Sequence, residues 1–341
     1  SKGGRRPTIL KFNGANSFVI GIDLGTTNIY GILADLNAEI IAERRIPTEI
    51  DRGSKDILNR TAEIINDLCQ RPEVEGKRIF GVGMAVAGLI NRRKNIVEFS
   101  PDFHWRDVDI KGTIGTGCEL PILFDNVTRM MAMGELLYGI GTKYRDFIFI
   151  NVGYGIGAGV VINREPLYGS FGMAGEFGHI TLDKASKIQC DCGNYGCLEA
   201  LASGHGIAIA ARKALKDGAD SILKEQCNGD LSKITAKMVA DAAKSGESFS
   251  RNIFNEAAEY LGIGVATLVN LFSPHAIIIG GGVAQAGDIL FDTVRKTVSA
   301  RSIKNISREV DILPATFGMK AAAMGAVSVV LDNVLHLNPI E

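Results

Sequence analysis

FVIGIDLGTTNIYGILADLNAEIIAERRIP (18–47) reads as three short apolar runs, 18–25, 28–36 and 39–47, broken by Gly, Thr and Asn. Apolar runs of this length between turn formers are strands. The two-residue Asn37–Ala38 turn sets the last two antiparallel. The same order recurs in DFIFINVGYGIGAGVVINREPLY (146–168): strand, glycine turn, strand, strand. Working outward, Ile57, Leu58, Ala62, Ile64, Ile65 and Leu68 fall at helical spacing in 54–70. IFGVGMAVAG (79–88) and PILFDN (121–126) are further strands, the second running straight into the helix VTRMMAMGELLYG. Helices are predicted at about 203–216, 235–244 and 250–272, and HAIIIGGGVAQAG (275–287) is a buried strand, a glycine cluster and a helix start. KAAAMGAVSVVLDNVL (320–335) is the last helix. Two copies of one strand-and-helix order predict an α/β chain of two related lobes with a cleft between. We place 18–124 plus 321–341 in the N-terminal lobe, 125–320 in the C-terminal lobe, and 1–17 as a basic, linker-like lead.

Bulk composition excludes several classes. The chain has 341 residues, with 37 Lys and Arg against 38 Asp and Glu. A net charge of −1 does not make a nucleic-acid binder by charge. The basic residues Lys2, Arg5, Arg6 and Lys11 are confined to the start. No signal peptide is visible, and no apolar run of the ~18–20 residues that span a bilayer is read, so no membrane partner is expected. Of six cysteines, three crowd into CDCGNYGC (190–197), while Cys69, Cys118 and Cys227 are scattered. That is a metal-site pattern with lone thiols rather than a disulfide framework, and it fits a cytoplasmic location.

DLGTTN (23–28) lies between two predicted strands. A turn of Gly and Thr exposes backbone N–H groups and hydroxyls that suit a phosphate, and Asp23 could hold magnesium through water; a plain hairpin turn explains it equally well. The second turn, with Gly153 and Gly155, occupies the equivalent place in the second lobe. The third, with Gly281 and Gly282, lies between a buried strand and a helix, where backbone can approach an adenosine. Three such turns are the pattern of the two-lobed actin, Hsp70 and sugar-kinase superfamily, a ribonuclease H-like fold. The candidate nucleotide residues are Asp23, Gly25, Thr26, Thr27, Gly153, Gly155, Gly281 and Gly282.

GHITLDKASKIQCDCGNYGCLE (178–199) is the most specific segment. His179, Cys190, Cys192 and Cys197 supply one imidazole and three thiolates, the donor set of a closed structural zinc site, and Gly193 and Gly196 permit its tight turns. With MAGEFGHI before it and CLE after it, the segment resembles the signature of the ROK family, which groups bacterial sugar-responsive repressors and sugar kinases. The resemblance runs from about residue 18 to 336. It implies a cleft that binds a mono- or disaccharide, with Asn126, Glu176, His179 and Glu199 bonding hydroxyls and Gly88 and Ser100 lining the same pocket. His179 would then serve zinc with one nitrogen and sugar with the other. It also implies a homo-oligomer.

Two departures separate the chain from the family's kinases. Those kinases carry an Asn-Asp pair whose Asp is the general base; in DNVTRMMAMGE (125–135) the base position is Val127 and the next family Asn is Arg129. Valine accepts no proton, and a lost base costs ~10²–10⁴ in rate. Asp125 lies one residue along a strand end, pointing the opposite way. Tyr154 stands where a small hydroxyl residue borders the phosphates. GGRRPTILKFN (3–13) resembles the linker to the winged helix-turn-helix of family repressors, so DNA contact is expected only through a domain absent from this sequence. The expectation is therefore a zinc-containing sugar sensor in which ATP and magnesium no longer support chemistry. The alternatives are a hexose kinase with an unusual base and, on DLGTTN alone, a chaperone-like ATPase.

Overall fold

The computed structural model describes residues 14–91, 94–114 and 119–335. The basic residues of the lead and Cys118 lie outside the described residues. In the first half, β1 (Ser17–Leu24), β2 (Asn28–Asp35) and β3 (Ile40–Pro47) form an antiparallel meander, and β4 (Arg78–Val86) runs parallel beside β1. A small antiparallel sheet, β5 (Leu89–Asn91), β6 (Ile96–Ser100) and β7 (Trp105–Asp109), precedes β8 (Ile122–Asn126), giving the main sheet the order β3-β2-β1-β4-β8. The second half repeats the plan. β9 (Phe147–Val152), β10 (Ile156–Ile162) and β11 (Glu165–Pro166) form the meander, β12 (Ala276–Gly280) runs parallel beside β9, and β13 (Asp311–Pro314) runs parallel beside β12. Both sheets belong to the two-lobed sugar-kinase fold expected from the repeated pattern.

The principal helices are α1 (Gly53–Cys69), α2 (Val127–Tyr138), α3 (Gly204–Lys216), α4 (Ala236–Lys244), α5 (Ser248–Phe272), α6 (Asp288–Arg301) and α7 (Ala321–Leu335). Ile57, Leu58, Ile64, Ile65 and Leu68 of α1 are buried where the helix packs on β1, β2 and β3, as their spacing requires. The small sheet and β13 were not anticipated. Their strands hold three to five residues and carry charges, as in WRDVD and DILP, so neither length nor alternation marks them.

The helix α7 lies across β1 and β4 and crosses α2, which packs on β9 and β10. Glycine makes the approach close. A side chain on Gly21 or Gly83 would stand 2.3 Å or 2.1 Å from the carbonyl oxygens of Ala323 and Ala326. At the crossing, a Cβ on Gly325 would lie 2.0 Å from the Met130 carbonyl, and one on Gly134 3.1 Å from the Gly325 Cα. The stretch Gly318–Leu335 has mean hydropathy 1.3 and 18 residues, so by length and composition it meets the test for a membrane span, contrary to the sequence reading. Its apolarity is accounted for by packing: Ala323, Val327, Val330 and Leu331 are fully buried.

Because backbone lies opposite, Gly325→Ala is expected to destabilise the protein by about 1–3 kcal/mol or more. Gly282→Ala, with nothing within 4 Å of the added carbon, should change stability by less than about 0.5 kcal/mol. Urea denaturation of the two variants checks this; equal stability would show that the crossing tolerates expansion.

Candidate functional site

The four metal-site residues come together although His179 is eleven residues from the nearest cysteine. His179 ends a short turn, Phe177–His179, that follows Glu176, and Cys197 immediately precedes the helix Leu198–Ala202. Between them the chain doubles back. Cys190 donates its N–H to the Asn194 carbonyl at 2.8 Å, and Gly193 donates to the Cys190 carbonyl at 2.8 Å. Gly193 and Gly196 adopt φ of +91° and +69°, which glycine tolerates, and a side chain on Gly196 would meet the Asp183 carbonyl at 1.9 Å. The four donor atoms lie within 4.8 Å of one another, with Cys192 Sγ 3.7 Å from Cys197 Sγ and Cys190 Sγ 3.6 Å from His179 Nδ1. A tetrahedral zinc ion with Zn–S near 2.3 Å and Zn–N near 2.0 Å spaces its donors by roughly 3.5–3.8 Å. The residues fit the ion.

The far side of the imidazole turns away from the thiols. His179 Nε2 lies 3.8 Å from Glu176 Oε2, while Nδ1 lies 3.9 Å from Glu199 Oε1. Glu199 is anchored by its other oxygen, which accepts the Ile156 N–H at 2.8 Å. So Glu176, His179 and Glu199, spread over the sequence, share one corner. Burial raises the Glu176 carboxyl, with His179 pulling it down. A third acid completes the corner. Asp102, in the turn between β6 and β7, is pushed up to about 6 by burial and by the carboxylates of Glu199 and Asp191. Sequence reasoning missed Asp102; its only signal is a lone acid between Pro101 and the aromatic run Phe103–His104–Trp105.

The remaining expected sugar residues are placed differently. Asn126 caps α2: its Oδ1 accepts the N–H groups of Thr128 at 2.9 Å and Arg129 at 3.3 Å. Its Nδ2 donates to the Gly88 carbonyl at 3.0 Å, tying the cap to the end of the β4 segment. Gly88 has φ +128°, and a side chain there would strike the Phe99 carbonyl and Ser100. Ser100 itself is fully buried, so it offers no surface to a ligand in this structure.

Val127 starts α2 and packs among Ala85, Met130, Ala322 and Ala326. The neighbouring acid is occupied. Asp125 Oδ1 accepts the Arg129 Nε–H at 3.2 Å and the Asn126 N–H at 2.7 Å, and both side chains of the ion pair are buried. Arg129 is held further by Gly172, whose carbonyl accepts its Nη2–H at 3.0 Å, and by the Tyr168 ring below its guanidinium. The Asp125 Oδ1 is thus already engaged by two donors.

The glycine turns converge from both lobes. Gly25 donates to the Asn28 carbonyl in the first turn, and burial pushes the nearby Asp23 carboxyl up to about 7 against the pull of Arg45. Thr26 faces the cleft and Thr27 is exposed. In the second turn Gly153 donates to the Gly155 carbonyl, and the carbonyls of Gly153 and Tyr154 accept the N–H groups of Gly204 and His205 at the start of α3. Gly281, at φ +92°, packs on Val152, and Gly282 beside it is open. A cavity of 820 Å³, walled largely by apolar groups, lies between Gly153, Gly282, α3 and α4. Tyr154 borders it, and also borders the two cavities on the acidic side. Its ring, 56% exposed, packs on His205 with centroids 4.8 Å apart.

A two-lobed sugar-kinase fold with a Cys₃His cluster at its cleft defines the class. The family model for ROK proteins matches residues 19–333, and the chain belongs to the ROK family. It is 32% identical over 335 residues to the xylose repressor of Caldicellulosiruptor bescii, covering 98% of this chain and 83% of that protein. Among solved structures it is similar to a ROK glucokinase from Streptomyces griseus in complex with glucose and AMPPNP, at 30% identity and TM-score 0.81, covering 92% and 98% of the two chains. It is also similar to a ROK family transcriptional regulator homologous to the E. coli MLC protein, at 26% identity and TM-score 0.82, covering 95% and 81%. Repressors and kinases thus stand at similar identity.

Metal analysis of the purified protein should give one zinc per chain. Cys192→Ser is expected to release the ion and lower Tm by roughly 5–10 °C, because binding free energy at such a site is folding free energy. Full stability without zinc would overturn the assignment.

Proposed function

We propose that the chain is the sugar-binding effector domain of a ROK repressor, sensing a neutral sugar in the cleft without phosphorylating it. The observation that carries this reading is the start of α2: Val127 has no proton-accepting group, and Asp125 is committed to Arg129. The position of Tyr154 agrees. A phosphoryl group passing from the 820 Å³ cavity to a sugar in the acidic corner would have to pass the phenol that borders both.

The corner selects a neutral ligand. Asp102, Glu176 and Glu199 surround His179, and a ring of hydroxyls supplies the O–H donors that carboxylates accept. A sugar phosphate would bring like charge into the same space. The zinc, when bound, is structural: it fixes the loop 180–197 and holds the imidazole with Nδ1 on the metal side, leaving Nε2 for a hydroxyl. The elements meeting at the corner come from both lobes, so a sugar that binds the closed cleft better than the open one shifts the chain toward closure. In a repressor that shift reaches a DNA-binding domain outside this sequence. Thiolate ligation fits a reducing, cytoplasmic setting.

The second reading, an ATP-dependent hexose kinase, is favoured by the size of the cavity at the glycine turns, which falls in the range of about 300–1,000 Å³ typical of small-molecule sites. Calorimetry with neutral sugars and their phosphates, beside an ADP-release assay with ATP and magnesium, separates the two. The expected result is saturable binding of a neutral sugar, at least tenfold weaker binding of its phosphate, and turnover below about 0.1 s⁻¹. Turnover within the ordinary kinase range of ~1–100 s⁻¹ would decide for the kinase.

A further inference from the structure

The three sulfurs of the metal cluster differ in access. Cys190 is 5% exposed and Cys197 is fully buried. Cys192 is partly exposed, in a turn whose other residues, Asp191, Gly193, Asn194 and Tyr195, face solvent. Cys197 is pinned by its neighbours: the Gly196 carbonyl accepts the Leu182 N–H, and the Leu198 N–H donates to the Ile180 carbonyl, both at 2.9 Å. Cys190 Sγ is turned toward the acidic corner, 3.6 Å from His179 Nδ1 and 3.7 Å from Glu199 Oε1. Cys192 Sγ lies 3.7 Å from Cys197 Sγ.

This arrangement separates a sulfur that can be reached from one that can trap the product. A thiol that coordinates a metal is held as the thiolate, the form that reacts with an oxidant. A disulfide needs its sulfurs about 2.05 Å apart. To reach that distance, Cys192 moves toward the fixed Cys197 across the turn Gly193–Asn194–Tyr195–Gly196. Glycines at both ends of that turn take up the change, since both tolerate φ values closed to other residues. A bond between Cys190 and Cys192 would instead close a strained ring across the single residue Asp191.

We propose that Cys192 and Cys197 are a peroxide-sensitive thiol pair whose oxidation releases the zinc and loosens the segment that positions His179 and Glu199. The Cys192 thiolate attacks one oxygen of hydrogen peroxide. The O–O bond breaks, Cys192 becomes a sulfenic acid, and the departing hydroxide takes up a proton as water. The Cys197 thiolate then attacks the Cys192 sulfur. The S–S bond forms, the S–O bond breaks, and a second hydroxide leaves as water once protonated. The two thiolates lose two electrons, and the peroxide that accepts them ends as two waters. His179 and Cys190 remain as donors, two short of the four that close a zinc site. Where metal binding is folding free energy, the order of the loop 180–197 goes with the ion. This holds whatever ligand the acidic corner takes.

Treating the zinc-loaded protein with hydrogen peroxide tests this. Free zinc is followed with a chromogenic chelator, and unreacted thiols are alkylated and mapped by mass spectrometry. Zinc should appear in step with the disulfide, with Cys190 alkylated and Cys192 and Cys197 protected. Amide exchange across 180–199 should rise by about tenfold or more, as expected for a segment that opens locally. A dithiol reductant with added zinc should restore the starting state. Cys192→His, which keeps four donors for the ion but has no sulfur to oxidise, should retain zinc under the same exposure. Zinc retained after oxidation, Cys192 carried to the sulfinic acid without a disulfide, a bond to Cys190 instead of Cys197, or loop exchange unmoved by the disulfide would each overturn the proposal. These readouts on the unaltered chain decide the matter even if the histidine variant fails to fold.

Discussion

The contact between α2 and α7, backbone against backbone at Met130, Gly134 and Gly325, is the constraint from which the cleft is built. One of these helices lies on the first sheet and the other on the second, so their crossing fixes where the two sheets face each other. It also fixes the start of α2, where Asn126 caps the helix and reaches the Gly88 carbonyl. The residues on which the proposed reading turns, Asp125, Val127 and Arg129, hang from that one turn. Arg129 is buried and bonded to Asp125 and Gly172. Removing either member of such a pair leaves an uncompensated buried charge, which costs about 3–5 kcal/mol. The pair therefore serves the structure of the cleft.

The opposite wall poses a different electrostatic problem. Asp102, Glu176 and Glu199 are brought near one another around a single imidazole, and burial and mutual repulsion raise the first two. Groups so placed destabilise the empty fold and are relieved by a ligand that donates hydrogen bonds. The Cys₃His loop supplies the rigidity that keeps His179 and Glu199 in position, since Cys197 and Glu199 flank the start of one helical turn. The cysteine cluster and the acidic corner therefore share one imidazole, with Cys190 on its Nδ1 edge and Glu176 on its Nε2 edge.

Much of this was legible in the sequence. The strands of 18–47 and 146–168, the helix 54–70 and the metal cluster follow from short-range patterns: apolar alternation, turn residues, and thiols close along the chain. The helix 320–335 is equally plain, although its apolarity passes for a membrane span until the glycines that press it onto β1 and β4 are seen. The family resemblance supplied Glu176 and Glu199, which no local pattern distinguishes from surface acids. What stayed hidden depends on contacts distant in sequence. Asp102 becomes notable only because the turn after β6 meets Glu199. Asn126 spends its carbonyl on a helix cap, and Ser100 is turned inward beside Gly88; neither fate is written in its neighbours.

A crystal structure with a bound sugar and a non-hydrolysable ATP analogue tests the absence of a base most directly. The account predicts that no carboxylate stands within about 3.2 Å of the sugar hydroxyl nearest the nucleotide, that Val127 faces that hydroxyl, and that Asp125 stays bonded to Arg129. An acidic side chain within that distance, beside an ordered γ-phosphate in line with the hydroxyl, would contradict it.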